Sequence, residues 1–217
     1  RRLVNQGMIL GEDNQKMSKS RGNVVNPDEV IDRYGADAMR LYEMFMGPLE
    51  QVKPWQTSGC DGVQRFLARV WRLFVDQETG ESQPFGTTTK AVRKALHVAI
   101  KETTEGIDNL KFNTPVSKMM EFVNTCKGQL PAQGDAEAFL LVLAPYAPHL
   151  AEELWSRCGN PHSLSDASWP QWDPSALVDD TVTIAVQIMG KMRGRVEIDA
   201  GADKDTVLAA AKADPVV

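Results

Sequence analysis

The run Lys16-Met17-Ser18-Lys19-Ser20-Arg21-Gly22-Asn23 brings three cations, two hydroxyls and a glycine into one short stretch. Lysine is a point charge on a flexible stem, suited to following an anion whose position changes during a reaction. Serine hydroxyls and backbone amides add hydrogen bonds to phosphate oxygens. These residues describe a phosphate-contacting loop. An ordinary solvated basic loop has the same composition, and composition alone leaves that alternative open. Gly22 and the serines suit neither helix nor strand, so the stretch reads as a mobile loop. It is framed by apolar Gly7-Met8-Ile9-Leu10 before it and a helix-start signal, Asn26-Pro27-Asp28-Glu29, after it.

The order of residues narrows the choice. Lys-Met-Ser-Lys-Ser is the signature loop of class I aminoacyl-tRNA synthetases, and residues 16–20 match it letter for letter. The flanks, Asn5-Gln6-Gly7-Met8 and Gly22-Asn23-Val24-Val25-Asn26-Pro27, resemble the leucyl-tRNA synthetase family in particular. So does Tyr34-Gly35-Ala36-Asp37-Ala38-Met39-Arg40-Leu41-Tyr42-Glu43-Met44-Phe45-Met46-Gly47-Pro48-Leu49-Glu50; isoleucyl, valyl and methionyl relatives share the Gly-Ala-Asp core and diverge after it. The resemblance implies activation of leucine by ATP, with Mg2+, to leucyl-adenylate, then transfer to tRNA(Leu). It implies Lys19 as the leading catalytic residue, with Lys16 beside it, and an ATP-binding loop of Lys16, Met17, Ser18, Lys19 and Ser20. No cofactor is expected on the fragment alone.

Elsewhere the composition is that of an ordinary globular protein: 217 residues, 42% hydrophobic, 24% charged. That length fits one large domain or two small ones. No apolar run approaches the roughly 18 residues of a membrane span, and no signal-peptide pattern opens the chain. Cys60, Cys126 and Cys158 show no Cys-x-x-Cys spacing. They read as reduced thiols of a cytoplasmic protein, neither a disulfide framework nor a zinc site. A net charge of −5 argues against holding nucleic acid by bulk electrostatics, so RNA contacts must come from local basic patches. The resemblance implies tRNA(Leu), leucine and ATP as partners, and no DNA or membrane partner is expected, for a monomer.

Taken in order, residues 1–54 read as the end of a catalytic α/β domain. Leu3, Val4, Met8, Ile9 and Leu10 supply a helix end and a short strand. Asn26 serves as N-cap with Pro27 at the first helical position and Glu29 closing a capping box. The helix buries Val30, Ile31 and Tyr34, Gly35 breaks it, and a second helix runs from Ala36 to Met46. Pro48 to Pro54 connects to residues 55–174, a helical anticodon-binding-type bundle that Trp55 anchors. Val63, Phe66, Leu67, Val70, Trp71 and Phe74 recur at three and four residues, an amphipathic helix. Arg65, Arg69 and Arg72 line its other face, either a solvated face or a phosphate-backbone rail for tRNA.

Further helices are expected to bury Val92, Ala95, Leu96, Ala99, Ile100 and Ile107; Val116, Met119, Met120, Val123 and Cys126; Ala138, Leu141, Val142 and Leu143; and, from His149 to Arg157, Leu150 and Leu154. His97 lies alone at the edge of its stripe, a packing or surface histidine. Leu143-Ala144-Pro145-Tyr146-Ala147-Pro148-His149-Leu150-Ala151-Glu152-Glu153-Leu154-Trp155 resembles the bundle of the same synthetases. His149, Glu152 and Glu153 lack a second histidine in spacing, so no metal site is assigned. Trp169 and Trp172 lie in an irregular exit segment that packs back on the bundle. Residues 175–217 read as an incomplete small α+β domain: Val182, Ile184, Val186 and Ile188 alternate, Met189 to Met192 turn, Val196 and Ile198 alternate again, and Asp203 caps a helix. Val-Gln-x-x-Gly-Lys-x-Arg-Gly-Arg at 186–195 resembles the family's C-terminal domain. Lys191, Arg193 and Arg195 there are either an ordinary charged turn or tRNA contacts.

Overall the expected fold is mainly α. The family's partner motif, His-x-Gly-His, is missing: the histidines are His97, His149 and His162. The nucleotide-binding strands and the inserted editing domain are missing too. Both ends read as cuts through a larger protein, and the piece is expected to be catalytically silent alone. Two other readings stay open. A related isoleucyl, valyl or methionyl enzyme is opposed by residues 39–50 and 186–195. A stand-alone RNA-binding module is opposed by the intact signature loop.

Overall fold

The computed structural model describes residues 3–178, 181–188, 191–199 and 201–213. The chain forms two compact units, residues 1–176 and 177–217. Among the described residues there are eight α-helices and four strands in two two-stranded sheets.

In the first unit, β1 (Ile9–Leu10) pairs in parallel with β2 (Lys53–Pro54), which brings both ends of the signature segment together. Residues 3–8 are not helical, contrary to the expected helix end. Between the strands lie α1 (Pro27–Tyr34) and α2 (Ala36–Phe45). Asn26 caps α1 by accepting from the Asp28 amide at 3.1 Å. Glu29 meets the Asn26 side chain rather than closing a box on its backbone, Nδ2 to Oε1 at 3.5 Å. Gly35 separates the helices at φ 89°, a conformation that costs a side chain dearly. Val30 and Tyr34 are buried one turn apart, whereas Ile31 is exposed. Two buried residues define so narrow a stripe that the position after Val30 already faces solvent.

The bundle follows as α3 (Thr57–Phe74), α4 (Lys90–Asp108), α5 (Asn113–Cys126), α6 (Gln133–Leu143) and α7 (Pro148–Arg157). Trp55 is buried and meets the Tyr42 ring edge-on at 5.0 Å, joining α2 to the entrance of α3. Helix α3 starts six residues before the expected Val63 stripe and buries Cys60, Leu73 and Phe74 along with Val63, Phe66 and Val70. In α6 the inward residues are Ala136, Phe139, Leu140, Val142 and Leu143, and Ala138 and Leu141 are half-buried. That helix is apolar on most sides, so periodicity did not select its face. Phe139 stacks on Phe122 of α5 at 4.5 Å. Trp169 returns to the bundle, donating Nε1 to Thr104 Oγ1 at 2.8 Å, and Trp172 packs on the same core.

Burial lifts the Cys126 thiol to about 12 and the Cys158 thiol to about 11, so neither forms thiolate readily at neutral pH. All three cysteines are free. No described helix is long and apolar enough to cross a membrane.

In the second unit, β3 (Thr181–Ile188) and β4 (Lys191–Asp199) form an antiparallel hairpin followed by α8 (Lys204–Ala213). Val196 and Ile198 are buried, and Asp203 accepts from the Thr206 amide at 2.8 Å as the expected cap. Turn residues Met189 and Gly190 lie outside the described residues, as do the side chains of Val182 and Ile188.

Candidate functional site

The signature run is an exposed loop held from behind by one amide side chain. Asn23 Oδ1 accepts from the Ser18 amide at 2.9 Å. Its Nδ2 donates to both Asp13 carboxylate oxygens, at 3.0 and 3.1 Å, and to the Lys16 carbonyl at 3.3 Å. Asp13 also accepts from the Gln15 amide at 3.0 Å. The Asn23 amide, then the Gln15 amide, then the Arg21 charge hold the Asp13 carboxyl below its ordinary pKa. Glu12 ties the loop to α3 by accepting from the Thr57 amide at 2.8 Å, and the Thr57 side chain, then its amide, lower the Glu12 pKa. Lys19 to Arg21 make one 3-10 turn, which ends on Gly22 in the left-handed region at φ 67°. Expected as mobile, the loop carries a dense internal hydrogen-bond set.

That scaffold sorts the side chains. Met17 is half-buried against the core, beside Ile9, Val25, Pro27, Met39, Glu43 and Trp55. Ser18 and Ser20 hydrogen-bond to each other at 2.7 Å, and Arg21 donates to Gln15 Oε1 at 3.3 Å. Lys16 and Lys19 are exposed, and neither ammonium has a hydrogen-bond or ion-pair partner among the described residues. Two free cations thus project from a fixed backbone. A groove of about 470 Å³ beside the loop is lined by Glu12, Asp13 and Glu29 together with Arg33 and Tyr34. Neither Lys16 nor Lys19 lines it.

The second candidate surface is α3. Arg65, Arg69 and Arg72 are all exposed. Arg69 turns toward α5 and donates Nη1 to Asn124 Oδ1 at 2.6 Å. In the hairpin, Lys191, Arg193 and Arg195 are exposed, yet they do not share one face. Val186 pairs with Gly194 and Gln187 with Met192, so Arg193 is an extra residue that shifts the register. Opposed residues lie on one face, so Arg195 sides with Met192, and Lys191 takes the other face.

Asp37 and Arg40 tie α2 to α7 and to the turn before it. The Asp37 carboxylate accepts from the Leu150 amide at 2.7 Å and the His149 amide at 3.3 Å, and it meets His149 Nδ1 at 2.8 Å. One turn on, Arg40 Nε donates to the Pro145 carbonyl at 2.8 Å. Glu152 and Glu153 are engaged elsewhere, with the Leu164 amide and with Arg157. Sequence reasoning missed Asn23, Asp13 and this use of Asp37. An asparagine five residues after a loop serine was the only local signal.

Comparison with known proteins gives the family of the chain. Residues 89–208 match the family described as the anticodon-binding domain of tRNA ligase, more than half of the chain. Residues 1–53 match the class I tRNA synthetases (I, L, M and V). The chain belongs to the anticodon-binding domain family of tRNA ligases, with a class I synthetase segment at its start. More particularly, its close homologues are leucine–tRNA ligases. That of Chlorobaculum tepidum is 51% identical over 217 residues, covering 97% of this chain and 26% of that protein. That of Leptospira biflexa is 52% identical over 200 residues, covering 89% and 23%. The chain therefore spans about a quarter of the length of these relatives. Among solved structures, the ternary complex of Agrobacterium radiobacter K84 agnB2 LeuRS with tRNA and LeuAMS matches with a TM-score of 0.79 at 28% identity, covering 98% of this chain and 30% of that one.

Proposed function

We propose that the chain is the part of a leucine–tRNA ligase from the signature loop onward, within an enzyme that activates leucine with ATP and transfers it to tRNA(Leu). The observation that carries the reading is the pair of unpartnered ammonium groups, Lys16 and Lys19, on a loop whose backbone Asn23 pins. Attack of the leucine carboxylate on the α-phosphate of magnesium-bound ATP builds negative charge on the departing pyrophosphate. A cation that meets that charge more strongly in the transition state than in the ground state lowers the barrier. Lys19 has this role, with Lys16 beside it. Met17 anchors the loop, and Ser18 and Ser20 offer hydroxyls to phosphate oxygens. Alone, the chain lacks the His-x-Gly-His half of such a site and is inactive in aminoacylation.

The bundle and the hairpin dock tRNA, with Arg65, Arg69, Arg72, Lys191, Arg193 and Arg195 as candidate contacts. The test is a titration of the 217-residue chain with a leucine tRNA and an unrelated tRNA across a salt series. The reading expects preference for the leucine tRNA by about tenfold, with log K falling linearly against log salt. Equal binding of both RNAs would overturn it in favour of a general RNA-binding module.

A further inference from the structure

The arginine face of α3 is one wall of a groove. Arg69, Arg72 and Leu73 form that wall, and Val123, Asn124, Lys127 and Gly128 at the end of α5 form the other, around a space of about 310 Å³. No carboxylate lines it. Among the described residues, neither arginine nor Lys127 makes an ion pair with an acid. Arg69 instead meets the neutral Asn124 side chain, whose Nδ2 donates to nothing described. Leu73 and Val123 give the groove an apolar floor. In a chain of net charge −5, three uncompensated cations around one concavity form a local site of the opposite sign.

We propose that this groove seats one phosphodiester of an RNA backbone, with its ribose against Leu73 and Val123. In this arrangement Lys127, a residue outside the arginine row, completes the cationic set, and Arg65 stands apart. The inference rests on the tRNA-docking role proposed above and deepens it. Three cations lining one concavity suit the charge and oxygens of a phosphate, and an apolar floor suits the carbon face of a sugar. Such a contact fixes position on the RNA without reading its sequence. The competing explanation is local. Arg72 lies in the last turn of α3 and Lys127 caps α5, so both complement helix dipoles.

A charge-removal series on the 217-residue chain separates the two. Lys127 sits at φ 50°, where glycine is at ease, so Lys127→Gly removes the cation without straining the cap. Affinity for a leucine tRNA transcript should fall about tenfold, and the slope of log K against log salt should drop by about one. Arg72→Gln should act likewise, and Lys111→Gln, an exposed cation outside the groove, should stay within about twofold of the parent. If the parent binds and Lys127→Gly binds as tightly, the groove is not the seat, even if the melting temperature falls as the dipole explanation requires. A parent that binds no tRNA would overturn both this inference and the docking role.

Discussion

Replacing Asp37 with alanine should destabilise the first unit by about 2 kcal/mol. Its carboxylate holds two amides in the first turn of α7, those of His149 and Leu150, from a side chain only 12% exposed. Loss of an N-terminal capping side chain costs about 0.5–2 kcal/mol. Loss of a negative charge at a helix N-terminus costs about 0.3–1 kcal/mol more. The His149 ring adds little, because it is 78% exposed and its pairing is screened by water. For a unit of this size, about 2 kcal/mol lowers the melting temperature by about 4–8 °C. Asp37→Asn keeps an acceptor oxygen and should lose about half as much. His149→Ala should lose under about 0.5 kcal/mol. Thermal melts of the 217-residue chain by far-ultraviolet circular dichroism measure all three. If Asp37→Ala melts within about 1 °C of the parent, water satisfies those amides and α2 does not hold α7.

Two further outcomes follow from single side chains. Burial, assisted by the nearby Arg93 charge and opposed by Asp173 and Asp135, holds the His97 imidazole below its ordinary pKa. Its Nδ1 accepts from the Asp173 amide at 3.0 Å, which the neutral ring alone can do. The unfolded chain gains this proton as pH falls through about 6.5 and the folded chain only lower, so this part of the stability is present above about pH 6.5 and is lost as pH falls. His97→Gln should flatten the melting-temperature curve between about pH 7 and 5.5, and a curve parallel to the parent's would refute the assignment. In a chain extended to the length of the relatives, Lys19→Ala should slow ATP–pyrophosphate exchange by about 10²–10³-fold with little change in the KM for ATP. A proportionate rise in KM would make Lys19 a ground-state contact.

What the sequence disclosed was local. Asn26-Pro27 announced a helix start because capping chemistry lies within four residues of chain. Gly35 announced a break because few other residues tolerate its φ of 89°. The alternation around Val196 and Ile198 announced a hairpin because the sheet has one buried face. The start of α3 was obscured by Gly59 and Gly62, weak helix formers tolerated in a helix whose buried residues begin at Cys60. The face of α6 was obscured because apolar residues surround it. For the candidate site, the lysines were legible as types, but their freedom was not. That depends on Asn23 reaching back to Asp13, ten residues away, and no pattern announces such a bond. The Arg193 bulge was equally hidden, since register is decided by the opposing strand.

The hold of α2 on α7 also sets an order of events during synthesis. Asp37 and the amide it accepts from at His149 are separated by 112 positions. At about 5–20 residues per second, the ribosome needs about 6–22 s to supply the second partner after the first. Throughout that interval the loop-bearing segment is outside or leaving the exit tunnel with its bundle contact unmade. The charged Asp37 is solvated meanwhile, which keeps an unfinished surface wet until its partner arrives. The signature loop is thus made before α7, and the contact that holds α2 to α7 can form only once both have been supplied.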